Sequence, residues 1–105
     1  MSAEGIWDLT ISTPIGRIAA VIELHRDRDT LVGAAHGAGE HVALREITLA
    51  GDRLTWKQAV TKPMRLNLAF AVTLDGDHLA GTAKAGRLPA SRVTGTRRIA
   101  PQRTQ

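Results

Sequence analysis

One local cluster in the chain carries residue types that can move a proton, His36-Gly-Ala-Gly-Glu40-His41. Imidazole titrates near neutrality, and a carboxylate beside it makes an acid/base pair. His36, His41 and Glu40 are therefore the candidate catalytic residues, and proton transfer to a bound molecule is the chemistry they would serve. The competing reading is a glycine-rich hairpin loop whose polar side chains are simply solvated. No metal is expected there. The helical His-Glu-x-x-His arrangement is lacking, and Gly37 and Gly39 would leave metal ligands floppy. The absence of cysteine removes disulfides, thiolate metal sites and a cysteine nucleophile together. No Ser-His-Asp arrangement follows from the spacing, and no glycine cluster follows a strand and opens a helix to hold phosphate. No cofactor is expected. His25 and His78 fall beside other turns and read as exposed.

A second group suits binding. Trp7, Trp56 and Phe70 are the only aromatic side chains, and they offer flat apolar surfaces. Gln58 and Arg97 would interrupt such a surface with polar groups. An inward Gln or Arg needs a partner, because an unsatisfied buried polar group costs roughly 1–3 kcal/mol. Trp7, Trp56, Gln58, Phe70 and Arg97 are the candidate ligand-binding residues.

The elements that would position these side chains are strands. Seven turn signals punctuate the chain: Thr13–Gly16, Asp27–Asp29, Gly37–Gly39, Gly51-Asp52, Thr61–Pro63, Asp75–Asp77 and Gly86–Pro89. Gly supplies positive φ, Pro fixes φ, and Asp bonds back to its own turn. The segments between them alternate apolar and polar with the strand period. Met64 to Leu74 is the clearest, with Leu66, Leu68, Phe70, Val72 and Leu74 on one face. Glu40 to Ala50 is the weak one, because Val42-Leu44 and Ile47-Leu49 have opposite parity. A β-bulge reconciles them, and a short helix is the alternative.

Seven turns imply eight strands, and short strands at regular spacing argue for an antiparallel barrel or sandwich. The chain also looks duplicated. Trp7 and Pro14 are matched 49 residues on by Trp56 and Pro63, and Leu31-Val-Gly33-Ala-Ala35 resembles Leu79-Ala-Gly81-Thr-Ala83. A single four-stranded half would expose two edges and an apolar face. The expected fold is all-β: an eight-stranded antiparallel up-and-down barrel of two four-strand halves in a pseudo-twofold relation. Residues 1–97 form its one domain, and 98–105 form a basic, disordered tail.

An eight-stranded interior is either filled by side chains or holds one small ligand. The inward set includes Ala20, Gly33, Ala35, Gly81, Ala83 and Gly95, which are too small to meet across the axis. This favours a cavity with a mainly aliphatic wall. Gly5-Ile6-Trp7 on the first strand and Arg97 on the last resemble the Gly-x-Trp signature and late Arg of calycins, the lipocalins, fatty-acid-binding proteins and avidin-type barrels. That resemblance implies an Arg97 side chain packed across Trp7, closing one end and giving Arg97 a structural duty. Trp56 and Gln58 are then better placed for a ligand. It implies an opposite, open end formed by the turns at Pro14, Gly37–Gly39, Pro63 and Pro89, with His36, Glu40, His41, Lys62 and Arg87 around it. The chain lacks the lipocalin disulfide and long first loop, and has two Trp where avidins use more, so biotin binding is not implied.

Charge is uneven. Residues 1–77 hold all ten acids and eight bases, whereas 78–105 hold six bases and no acid. Such asymmetry can mark an acidic partner, but no aromatics are interleaved as a nucleic-acid platform would require. No run approaches 18 apolar residues, so no membrane span is expected, and no secretory signal is visible. The expected compartment is cytoplasmic. Ala19, Val21, Ala69 and Ala71 read as a small uncharged outer patch, which argues for a homodimer. Three functions compete. The first is binding of one small, mostly apolar molecule inside the barrel. The second is a cofactor-free isomerase, cyclase or lyase using the same cavity, with Gln58 holding a carbonyl and a mouth histidine moving the proton. The third is a protein or nucleic-acid adaptor on the basic strands.

Overall fold

The structure, a computed structural model, describes residues 3–14, 16–37, 40–60 and 66–98. Nine strands follow in chain order: β1 (Gly5–Thr13), β2 (Gly16–Asp27), β3 (Thr30–Gly37), β4 (Glu40–Ala43), β5 (Arg45–Ala50), β6 (Arg53–Val60), β7 (Leu66–Asp75), β8 (His78–Ala85) and β9 (Ser91–Arg97). They form one antiparallel sheet in the order β4-β3-β2-β1-β9-β8-β7-β6-β5, curled into a nearly closed barrel. No helix occurs among the described residues, and none is long and apolar enough to cross a membrane.

The ninth strand arises from the segment whose parity was ambiguous. Residues 40–50 are interrupted at the buried Leu44, so β4 pairs with β3 and β5 pairs with β6. The Leu44 amide donates to the Gly33 carbonyl at 2.9 Å, holding the crossing point against β3. A register shift between Arg45 and Thr48 confirms the bulge, and Glu46 sits in it at φ 52°. The eight expected strands are therefore nine, because one of them serves both edges of the sheet.

Alternation places the large apolar residues inside. On β7, Phe70, Val72 and Leu74 are each 2% exposed, and their outward neighbours are solvated. Trp7, Ile22, Leu54, Trp56 and Val93 complete the deepest layer of the core. Both repeats put their Trp inward on the first strand and a glycine on the third, Gly33 on β3 and Gly81 on β8. These glycines do not leave room. A Cβ on Gly81 would overlap the Ala71 carbonyl oxygen and lie 2.6 Å from Val72 Cα, and one on Gly33 would overlap the Glu23 carbonyl oxygen. Over Gly95 the space is taken by Leu9 Cδ2, at 2.6 Å. Small residues here let neighbouring strands approach and bend, as barrel closure requires. The expected link from small inward residues to empty volume fails at these three positions.

Arg97 closes the lower end. Its guanidinium carbon lies 4.5 Å from the Trp7 ring centroid, a cation–π contact. Nε donates to Asp77 Oδ1 at 2.8 Å, and the terminal nitrogens donate to the carbonyls of Glu4 and Gly76. Trp7 Nε1 donates to the Ala3 carbonyl at 2.9 Å, so its polar edge is satisfied in the core. Gly5 sits at φ 130°, and a Cβ there would press on Arg97 Cδ at 3.1 Å. The Gly5-Ile6-Trp7 pattern thus has a local reason: the glycine makes way for the arginine that covers the tryptophan.

Arg98, assigned by sequence to a loose tail, is instead tied to β1. Its amide donates to the Ile6 carbonyl, and its guanidinium makes two 2.9 Å bonds to Asp8. The remainder of that segment, 99–105, lies outside the described residues. The hydrogen bond from Arg98 holds the Asp8 carboxyl below its ordinary 3.8. A carboxyl depressed on folding stabilises the protein above its unfolded pKa, and this is lost as pH falls through the lower folded value. Asp8→Asn should therefore lower the urea midpoint near neutrality. The gap to the unmodified protein should close as pH drops below 3.8. A pH-independent gap would mean the pair acts through packing alone.

Candidate functional site

Half-buried inward residues occur at both ends of the barrel, with Leu31 and Leu49 toward the Arg97 end, and Val93 and Ala83 are buried nearer the other end. Toward the Arg97 end, Trp7, Leu24, Leu54, Leu74 and Leu79 are buried. Toward the end formed by the β1–β2, β3–β4, β6–β7 and β8–β9 connections, inward Ile11, Ala20, Leu66 and Leu68 are half-buried and Ile18 is 44% exposed. These inward residues at that end are apolar, with Gln58 a polar exception. Deeper in the barrel lie Trp56 and Phe70, cross-strand partners stacked at 4.7 Å between centroids and 8° between planes.

Gln58 stands on the inner face of β6, paired with Leu68 of β7. Its Oε1 accepts a 3.0 Å bond from Trp56 Nε1. The bond satisfies the indole and orients the amide, so the Gln58 NH2 group is left as the donor end. Among the described residues that NH2 has no partner. Of the expected ligand-binding residues, the structure thus brings Trp56, Gln58 and Phe70 together. Trp7 and Arg97 lie at the opposite, closed end, engaged with each other.

The histidines are not in the mouth. His36 and His41 are directly opposed across β3 and β4, in register with Val21 of β2. The neighbouring row, Ile22–Ala35–Val42, points inward, with Ile22 and Ala35 buried, so the imidazoles face outward. Their rings are 4.3 Å apart and tilted by 41°. The carboxylate nearest His36 is Glu23 of β2, at 3.9 Å, rather than Glu40, which pairs with Gly37 at the hairpin end. Period-two parity decides this: residues five apart in a hairpin share a face, and that face is opposite to Ala35. Lys62, placed by sequence at the mouth, lies outside the described residues, and Arg87 occupies the β8–β9 turn. No group of three or more His, Asp or Glu able to hold a metal occurs among the described residues.

The outer alanine patch is also divided. Ala19 and Val21 are on β2, Ala69 and Ala71 on β7, with β1, β9 and β8 between them. A feature that sequence reasoning missed lies on the outer wall: a pocket of about 510 Å³ spanning β5 to β8, with Arg45, Lys57, Asn67, Ala69 and Lys84 in its lining. Its signal was present only as isolated cations on separate strands.

No protein-family model and no curated protein matches the chain. Among solved structures it is similar to a redesigned β-barrel, with a TM-score of 0.73 over 91% of each chain and 14% identity. That likeness is one of fold: the chain is an antiparallel β-barrel.

Proposed function

We propose that the protein is a binding module for one small, mostly apolar molecule carrying a hydrogen-bond acceptor, taken up in the mouth above the Trp56–Phe70 stack. The observation that carries this is the Gln58 amide, whose oxygen is held by Trp56 while its NH2 stands open on an otherwise apolar wall. Half-buried Ile11, Ala20, Leu66 and Leu68 supply apolar surface that a ligand would cover. An acceptor such as a carbonyl oxygen would complete Gln58. The cofactor-free enzyme reading asks a mouth histidine to act beside Gln58, and His36 and His41 are on the other side of the wall.

Prodan, an apolar naphthalene bearing a ketone, tests the reading by its emission shift on titration. Saturable binding is expected, weakened about fivefold by Gln58→Leu, the worth of one neutral hydrogen bond of roughly 1 kcal/mol. Ile18→Arg, at the exposed lip, should abolish it, and His41→Ala should leave it unchanged. Equal affinity in the Ile18→Arg protein would place the probe elsewhere and sink the proposal.

A further inference from the structure

The outer-wall pocket lies over the outward face of β5 to β8, and its lining also includes Gln58 and Leu68, whose neighbours Lys57, Ala59, Asn67 and Ala69 face outward. Arg45, Lys57, Ala69 and Lys84 are successive register partners across β5, β6, β7 and β8, so their side chains share the outward face. Adjacent strands lie about 4.8 Å apart, which gathers three cations into one short row. Ala69 stands between Lys57 and Lys84, and Ala59 with Asn67 forms the next register pair in the lining. These short side chains leave the dip that longer ones would fill. Its volume of about 510 Å³ falls within the range of small-molecule sites, roughly 300–1,000 Å³. Neither Arg45 nor Lys84 has an acidic partner within 4.0 Å among the described residues.

Glu46 is the second observation. It is a non-glycine residue at φ 52°, in the bulge that shifts β5 against β6. Left-handed backbone at a residue with a Cβ is unfavourable and persists where the surroundings impose it. Here the result is a carboxylate in the pocket lining, 3.4 Å from Lys57 Nζ. An anion already occupies part of the cation row, supplied by the chain itself.

We propose that this pocket is a site for a small multivalent anion of the diphosphate class, held by Arg45, Lys57 and Lys84, with Glu46 as an internal competitor. Phosphate oxygens accept from guanidinium and ammonium groups together, and two linked phosphoryl groups can span the row where one cannot. The carboxylate of Glu46 marks where such an oxygen would meet Lys57.

Inorganic pyrophosphate, titrated by calorimetry and by amide chemical shifts at fixed ionic strength, is the test. Saturable binding is expected, with the shifts centred on β5–β8. Lys84→Glu should weaken it at least about tenfold, as expected for reversing a charge close to the ligand. Arg17→Glu, the same charge change on β2, three strands from β8 in the sheet, should have less than about a twofold effect, because screening acts over roughly 8–10 Å. Ala69→Phe fills the dip without altering charge and should also abolish binding. Glu46→Gln should tighten it several-fold. Prodan binding in the mouth should be untouched by Lys84→Glu, so the two sites fail or stand separately. The proposal is overturned by lack of saturation, by equal losses in Lys84→Glu and Arg17→Glu, or by full binding in Ala69→Phe. It is equally overturned if a single-stranded oligonucleotide binds the same face far more tightly, which would assign the row to nucleic acid.

Discussion

Replacing Gly81 with alanine is expected to destabilise the barrel by about 3 kcal/mol or more, the upper end of what overpacking a rigid site costs. The added methyl would overlap the Ala71 carbonyl oxygen and lie 2.6 Å from Val72 Cα. Both are backbone atoms of β7, which is paired on its other side to β6 along its length. No side-chain rotation relieves the contact, so the strands must separate. Urea unfolding measures the loss, and Gly76→Ala provides the contrast. Gly76 is at φ 63° with open space around it, so that substitution carries only the backbone cost of about 1–2 kcal/mol. Equal losses at the two positions would show that β7 and β8 are not held this close.

Trp7→Ala should have a comparable effect, about 3–5 kcal/mol for an aromatic truncated in a core. Against a total stability of roughly 5–15 kcal/mol, much of the folded population would be lost at elevated temperature. Trp7 is fully buried, bonded through Nε1 to Ala3 and covered by Arg97. Its removal also strips the arginine of its platform while Asp77 and Glu4 still hold the guanidinium. A double-mutant cycle of Trp7→Phe with Arg97→Met should return a coupling of about 0.5–2 kcal/mol. Zero coupling would reduce the stacking to proximity.

The barrel and most of its strand boundaries were legible because turn residues and period-two alternation are local signals. The bulge in 40–50 was legible for the same reason: opposite parity within one strand leaves no other extended solution. The break at Leu44 was not, since it depends on the segment crossing from β3 to β6, a property of closure. Interior volume was misjudged at Gly33, Gly81 and Gly95 because composition counts side chains and ignores how closely backbones approach. The pairing of the two histidines is legible in the hairpin, whereas the face they take follows from their parity with Ala35 and not from their closeness to the loop. Ala19, Val21, Ala69 and Ala71 share a face in the pleat but not a neighbourhood, which only the strand order shows. Trp56 and Gln58 were singled out from sequence, yet the bond that points the amide outward from the indole is a matter of rotamers. The cation row appears only when four strands are set in register.

The broken strand has a consequence for behaviour at high concentration. A curled sheet with unpaired outer strands ordinarily offers templates on which other copies can polymerise. Here the two outer strands are four and six residues long and run consecutively through Leu44. β4 passes within 8 Å of β6, and β5 within 8 Å of β3, so each shields the other's border. A recruiting chain would meet two short borders, kinked relative to each other and displaced to opposite ends of the barrel. Lateral fibre growth therefore has no continuous track along this molecule, and the kink that spoils the regularity of one strand also protects the solution state of the whole.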